Sequence, residues 1–213
     1  MYVPSHFEET RTAVLQQLMH DHAHAMLIVL DASGLNANHI PFEFDPDPTP
    51  FGTLRAHVAR SNPVWKDFAR DVEALVVFQG PQAYITPSWY ETKKETGKVV
   101  PTYNYMVVHA YGVLRVVENK AWLRALVERL TNRFEGARPE PWKVDDAPDD
   151  YVDKMLGAII GLELAITKLA GKWKVSQNRP EADRAGVATG LSASGEADAV
   201  AMARVMVQGA ESS

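Results

Sequence analysis

The stretch Tyr103–Val117 constrains the fold more than any other part of the chain. It is dense in Tyr and Val, side chains that suit a pleated, half-buried surface. It reads as one long strand or a bent pair, with Gly112 as a candidate bulge. Further strand candidates flank it. Met26–Leu30 is a short apolar run, Asp31–Gly34 is a turn cluster able to close a hairpin, and Leu35–Phe44 resumes extended structure. Asp45–Pro50 carries three prolines and is a loop. Leu54–Val58 and Ala74–Phe78 read as strands. Gly80-Pro81 is expected to end the second of these, leaving Ala83–Thr86 as a separate short strand. Past the long run, Ile160, Leu162, Leu164 and Ile166 alternate with Gly161, Glu163, Ala165 and Thr167. Ile160–Leu169 is therefore a half-buried strand.

Helical spacing appears in fewer places. Ser5 with Glu8 fits a capping box, and Val14, Leu15, Leu18 and Met19 form one apolar stripe after it. Asn62-Pro63 predicts a turn and a short helix over Val64–Arg70. Asn119 caps a clear helix with the stripe Trp122, Leu123, Leu126, Val127, Leu130 and Phe134, and Gly136 is its stop. Pro148–Leu156 is another short helix. Arg179-Pro180 leads into a small-residue helical tail running to about Gly209. Strands joined by short turns, with no βαβ rhythm, predict an α+β chain: an antiparallel sheet or barrel with segregated helices.

Composition removes whole classes of function. The 213 residues contain no cysteine, which excludes disulfide frameworks, thiolate zinc sites and thiol nucleophiles. A net charge of −5, from 22 Lys and Arg against 27 Asp and Glu, makes a general nucleic-acid binder a poor reading. No apolar run nears the ~20 residues that span a bilayer. The N-terminus lacks a basic segment followed by an apolar core, so a cytoplasmic location is expected. GxGxxG, GxxxxGK[ST] and GxSxG motifs are absent. No catalytic residue is assignable from spacing.

Five clusters carry chemistry. His20, His22 and His24, if they alternate on a strand, could face a divalent metal, or they could line a solvated junction. Asn36, Asn38 and His39 are dense polar groups among apolar neighbours, to be satisfied by a ligand or by a local turn network. His57–Asn62 runs from a strand into an expected helix start. There Arg60, Ser61 and the following amides could clamp a phosphate, or serve as an ordinary cap and a surface arginine. Tyr84–Tyr90 with Thr102–Tyr105 places aromatics beside hydroxyls and amides, a setting for a planar heteroaromatic or for barrel-end packing. Gly171–Pro180 sets Lys172, Lys174 and Arg179 around Trp173, able to close over an anion or to stay a solvated loop.

Several blocks of the chain taken in order resemble a known family. They are MYVPSHF, LNANHIPF, GTLRAHVARSNPVW, ALVVFQGPQAYITPSWY, KVVPTYNYMVVHAYG, APDDYVDKML and GKWKVSQNRPEADRAGV. From Met1 to about Leu191 the chain resembles the PaiB-like, FMN-binding negative transcriptional regulators. The resemblance implies an antiparallel split β-barrel with flanking helices over 1–191, and a C-terminal helical tail, 192–213, packed on or beside it. It implies a homodimer with FMN near the subunit interface. By position it implies cofactor contacts from Asn38, His39, His57, Arg60, Ser61 and Asn62 toward the phosphate. Trp89 and Asn104 are expected near the ring, with Lys174, Ser176, Gln177 and Arg179 closing the site. No metal is expected. The implied role is flavin-linked regulation of transcription, with the small-molecule effector left open. Direct DNA binding is not expected, because no basic recognition helix is present. An FMN-dependent oxidoreductase is the alternative. A haem-binding relative, with His39, His57 or His109 as axial ligand, is a further one.

Overall fold

The computed structural model describes residues 1–47 and 49–211. Pro48 of the proline loop, and Ser212 and Ser213 of the expected tail, lie outside the described residues. Among the described residues there are eight strands: β1 (Glu8–Glu9), β2 (His24–Asp31), β3 (Gly34–Pro41), β4 (Glu43–Asp45), β5 (Thr53–Ala59), β6 (Ala74–Ile85), β7 (Thr102–Val117) and β8 (Ile159–Lys174). The helices are α1 (Thr12–Asp21), α2 (Thr92–Thr96), α3 (Lys120–Glu135), α4 (Asp149–Gly157), α5 (Glu181–Ser194) and α6 (Ala197–Glu211). The hydrogen-bonded strand order is β3-β2-β6-β7-β8-β5-β4, with β1 on β8. Among the described residues its two ends, β3 and β4, are not paired, so the sheet is open. The pairs β2·β3, β2·β6, β4·β5, β5·β8 and β1·β8 are antiparallel.

The chain divides into two compact units. A terminal unit comprises Met1–Arg11, Gln79–Val108 and Ala170–Ser213, and a central unit comprises Thr12–Phe78 and His109–Leu169. In the central unit the predicted hairpin forms, with Asp31 opposite Gly34 and His24 opposite Pro41. Gly34 takes φ +120° at its turn, a conformation that L side chains rarely adopt. Ala25, Leu27 and Val29 of β2 are buried, as are Leu54, Ala56 and Val58 of β5 and Ile160, Leu162, Leu164 and Ile166 of β8. This is the period-two pattern of a sheet with one apolar face. Asn119 caps α3 as predicted, its side chain accepting from the Trp122 amide at 2.9 Å. Leu123, Val144, Val152 and Leu156 pack into one cluster that joins α3 to α4.

Five local expectations are corrected. Ser5 opens only a single 3₁₀ turn, and the helix begins at Thr12, because Glu8 and Glu9 pair with Lys172 and Gly171 instead. The helix expected over Val64–Arg70 is one 3₁₀ turn, Pro63–Trp65. The chain then leaves helical geometry, and the Ala69 amide bonds the Leu30 carbonyl at 2.8 Å. Gly80-Pro81 does not end a strand, since β6 runs straight through. The burial alternation slips by one residue between Gly80 and Ala83, the kind of irregularity at which a strand tolerates proline. Gly112 is no bulge, because alternation on β7 is unbroken there. Its reason is space: a Cβ would lie 2.2 Å from the Ala165 carbonyl oxygen. The strand begun at Ile160 runs on to Lys174 rather than stopping at Leu169.

In the terminal unit, α5 and α6 pack together, burying Val187 and Leu191 with Ala199, Met202, Ala203 and Met206. Trp89 is set against the small face of α5: a Cβ on Gly190 would sit 2.3 Å from its indole. Asp183 of α5 is fully buried and accepts both the amide and the hydroxyl of Thr92, at 3.0 and 2.8 Å. These contacts fasten α5 to the segment that follows β6.

Candidate functional site

Among the described residues each unit holds a concave feature. In the central unit a pocket of about 310 Å³ is lined by Pro41, His57, Val127, Leu130, Phe134 and Trp142, with Thr131 and Glu135 as its polar members. Strand β5 supplies His57, α3 supplies the aliphatic wall, and the loop after α3 supplies Trp142. The Glu135 carboxylate accepts the Trp142 amide at 3.2 Å, which sets the indole's place. The Nδ1 atom of His57 is shut off from solvent and has no hydrogen-bond partner among the described residues. Burial pushes this imidazole below its ordinary value, so it is neutral at neutral pH. A partnerless polar atom in an apolar wall costs free energy unless something meets it.

The exit of the same strand carries the residues expected to hold a phosphate. Arg60 donates to the carbonyls of Gly157 at 2.9 Å and Ile159 at 3.4 Å, and to the Glu118 carboxylate at 3.1 Å. A guanidinium has five N–H donors, so two remain. Ser61 is exposed. Asn62 donates to Asn38 at 2.8 Å, Asn38 to Asn36 at 2.8 Å, and Asn36 to Asp31 at 2.9 Å. This amide chain is the local turn network that the sequence left open. Asn38 lies on β3 with its side chain in that chain, whereas His39 stacks on His24 with ring centroids 6.3 Å apart.

In the terminal unit a cavity of about 150 Å³ is lined by Thr102, Asn104, Lys174, Ser176, Asn178 and Arg179 beside Phe7. Asn104 and Ser176 are buried and exchange hydrogen bonds at 3.0 and 3.2 Å. Ser176 takes φ +63°, a left-handed conformation uncommon outside glycine. Lys174 donates to the Thr102 hydroxyl and the Tyr103 carbonyl. Burial and then the neighbouring charges of Lys172 and Arg179 lower its ammonium below the ordinary value. The Arg179 guanidinium lies 4.8 Å from the ring centroid of Tyr90. Gln177 does not face the cavity: its amide binds the Val175 amide and the Trp173 carbonyl and braces the loop. Trp89 is occupied with packing on α5.

The three histidines near residue 22 do not share a strand. His20 lies in the last turn of α1, His22 lies between elements and His24 begins β2. Among the described residues no group of three or more His, Asp or Glu side chains could hold a metal ion. Sequence reasoning missed Trp142 and the outer surface of α3. The available signal was Trp142 beside Pro141 in a polar loop, together with Phe134, which closes an apolar stripe yet is 54% exposed.

Comparison with known proteins decides the family. The family described as "Putative FMN-binding domain" matches residues 1–168. The chain belongs to this family. It is 29% identical to the protease synthase and sporulation protein PAI 2 of Bacillus subtilis over 97% of this chain and 96% of that one, so the PaiB-like resemblance is borne out. It is 35% identical to an uncharacterised protein of Emericella nidulans over 90% of each chain. Among solved structures, the FAD and heme binding protein from Mycobacterium smegmatis aligns with TM-score 0.59 at 19% identity, covering 78% of this chain and 73% of that one. The flavocytochrome Anf3 from Azotobacter vinelandii aligns with TM-score 0.59 at 12% identity, covering 81% and 72%. These likenesses bear out the split-barrel fold. The chain is thus a PaiB-like member of a family described by FMN binding. Among the described residues no helix is long and apolar enough to cross a membrane.

Proposed function

We propose that this chain binds FMN as a homodimer and serves as a flavin-linked regulator. The flavin ring meets the central unit's pocket, and its phosphate meets the exit of β5. One observation carries the reading: the imidazole of His57, whose Nδ1 has no hydrogen-bond partner among the described residues, stands in the pocket wall finished by Trp142. A flavin needs apolar surface for its ring, a hydrogen-bonding group at the ring's edge, and donors for a dianionic phosphate. The pocket offers the first two. The free N–H groups of Arg60 and the hydroxyl of Ser61 offer the third. They lie three to four residues along the chain from His57, about 10 Å at ~3.3 Å per residue, a spacing that suits the ribityl chain. The residues therefore fit the group. Bound flavin supplies reversible electron acceptance, while this chain's own residues place it and keep water from its ring.

The pocket lies at the small end of the ~300–1,000 Å³ range of ligand sites. FMN needs more wall than this pocket alone supplies, which supports placing it near an interface between two copies. The regulatory role is supported by the sporulation-linked name of the B. subtilis relative. Regulation through a partner, or through chemistry on a small molecule, fits the net charge of −5 better than direct DNA binding.

The test is a titration of the purified full chain with FMN, followed by flavin fluorescence and light scattering. Saturable binding to a dimer is expected. His57→Leu and Trp142→Ala should each weaken it about tenfold, as for loss of one hydrogen bond or one stacked wall, and Arg60→Ala should weaken it comparably. Absence of FMN binding in either redox state overturns the reading. A Soret band on loading with haem, with no flavin uptake, assigns the pocket to haem instead. Rapid hydride transfer from NADPH to bound flavin turns the regulator into an oxidoreductase.

A further inference from the structure

The terminal unit's cavity is not explained by packing. Its cations differ from six other arginines of the molecule. Arg11, Arg55, Arg124, Arg129 and Arg138 each pair with a carboxylate, and so does Arg60. Among the described residues Lys172, Lys174 and Arg179 have no carboxylate within ion-pair distance, although the chain holds 27 acidic residues. Lys172 donates to the Tyr2 carbonyl at 3.2 Å and lies 5.3 Å from the Tyr105 ring centroid. Three cations with only neutral partners repel one another, and that repulsion is relieved by an anion.

The donors are also pre-set. Lys174 uses two of its three N–H bonds on Thr102 and Tyr103 and keeps one. Because the Thr102 hydroxyl accepts from Lys174, its own hydrogen is free to donate. The Arg179 guanidinium is held over Tyr90 and makes no ion pair among the described residues. Asn104 is pinned to Ser176. Asp183, clamped on Thr92, fastens the helix that begins just after Arg179. The volume, about 150 Å³, equals roughly five liquid-water volumes at ~30 Å³ each. That is room for one charged group and its nearest waters, and too little for a flavin ring.

We propose that this cavity binds a compact oxyanion, the phosphate or carboxylate group of a small molecule other than the flavin, on Lys174, Arg179 and the Thr102 hydroxyl. It is the substrate or effector subsite of the protein. The proposal stands whether or not the central pocket takes FMN.

The test is calorimetric titration of the full chain with inorganic phosphate and, separately, with acetate, each with and without saturating FMN. One saturable site per chain is expected for at least one of the two probes, and the probe that binds tells a phosphate-bearing from a carboxylate-bearing ligand. Lys174→Met and Arg179→Gln should each weaken binding tenfold or more, as charge-assisted hydrogen bonds require. Lys93→Met, which removes an exposed lysine bonded only to Ser88, should leave it unchanged. If either cavity variant fails to fold, Thr102→Val and Arg179→Lys take its place, each expected to weaken binding severalfold. Failure of both probes to bind overturns the proposal, as does undiminished binding by the variants. Mutual displacement of phosphate and FMN also overturns it, because the cavity then belongs to the cofactor. Phosphate binding without FMN binding leaves the subsite standing and sinks the flavin reading alone.

Discussion

In the central unit a neutral imidazole faces an apolar wall, whereas in the terminal unit an ammonium and a guanidinium face hydroxyls and amides. Both His57 and Lys174 are pushed below their ordinary values, but for different reasons. Burial alone acts on His57. Burial joined by the charges of Lys172 and Arg179 acts on Lys174. An apolar ring meeting His57 deepens the first depression, while an anion meeting Lys174 reverses the second. The same direction of shift therefore arises in two different settings, and only the identity of the neighbours tells them apart.

The largest effect that separates the two regions is expected from Leu126→Ala. Leu126 is fully buried on α3, whose next turns wall the pocket, and its truncation should cost about 2–5 kcal/mol of stability in denaturant titration. FMN affinity should fall with it while phosphate affinity holds. A parallel loss of both ligands would show that the two regions are one cooperative site.

Asp183→Ala comes next. It leaves the Thr92 amide and hydroxyl without their buried acceptor, which should cost about 1–3 kcal/mol. Phosphate affinity should drop more than FMN affinity, because the helix following Arg179 loses its anchor. Equal losses in calorimetry would remove the distinction.

Acid titration gives a smaller effect. His57 and His109 both sit below their ordinary values through burial. Above the unfolded histidine value of ~6.5, both states are neutral and contribute nothing. As pH falls through that value, the unfolded chain binds protons that the folded chain refuses, so stability declines until the lowered folded values are reached. Denaturation midpoints measured between pH 8 and pH 5, a range on the order of these pKa values, should fall toward acid. His57→Phe should flatten part of that slope, and an unchanged slope would place the charge-refusing group elsewhere. Anion binding runs the other way in pH: phosphate affinity should fall as pH rises through the lowered value of Lys174.

The smallest effect is a control outside both sites. Lys120 pairs with Asp153 in solvent, each side chain 57% exposed. Lys120→Ala should leave the denaturation midpoint and both affinities unchanged, since such pairs are screened.

Much of the fold was legible because its causes are local. The turn at Asp31–Gly34, the Asn119 cap and the alternation from Ile160 to Thr167 each depend on residues a few places apart. Gly80-Pro81 misled because proline stops a strand only where its missing N–H is needed, and that depends on partners distant in sequence. Ser5 misled for a similar reason, since β8 claims the backbone after it. The site was legible in part. Lys174, Ser176 and Arg179 form a visible local run, but Asn104 reaches Ser176 across 72 positions. Trp142 stayed hidden because only Glu135 and the turn of the chain place it beside His57.

The sequence by itself determined the class of elements, their order and the residue types available to an anion or a ring. Periodicity, caps and composition act over a few residues, and the chain carries them before it folds. The tertiary structure decided which polar groups remain without a partner. Arg60 found Glu118 and two carbonyls, Asn38 found Asn62, and His57 Nδ1 found nothing among the described residues. That outcome depends on what packing brings within about 3 Å, and no local pattern encodes such a distance.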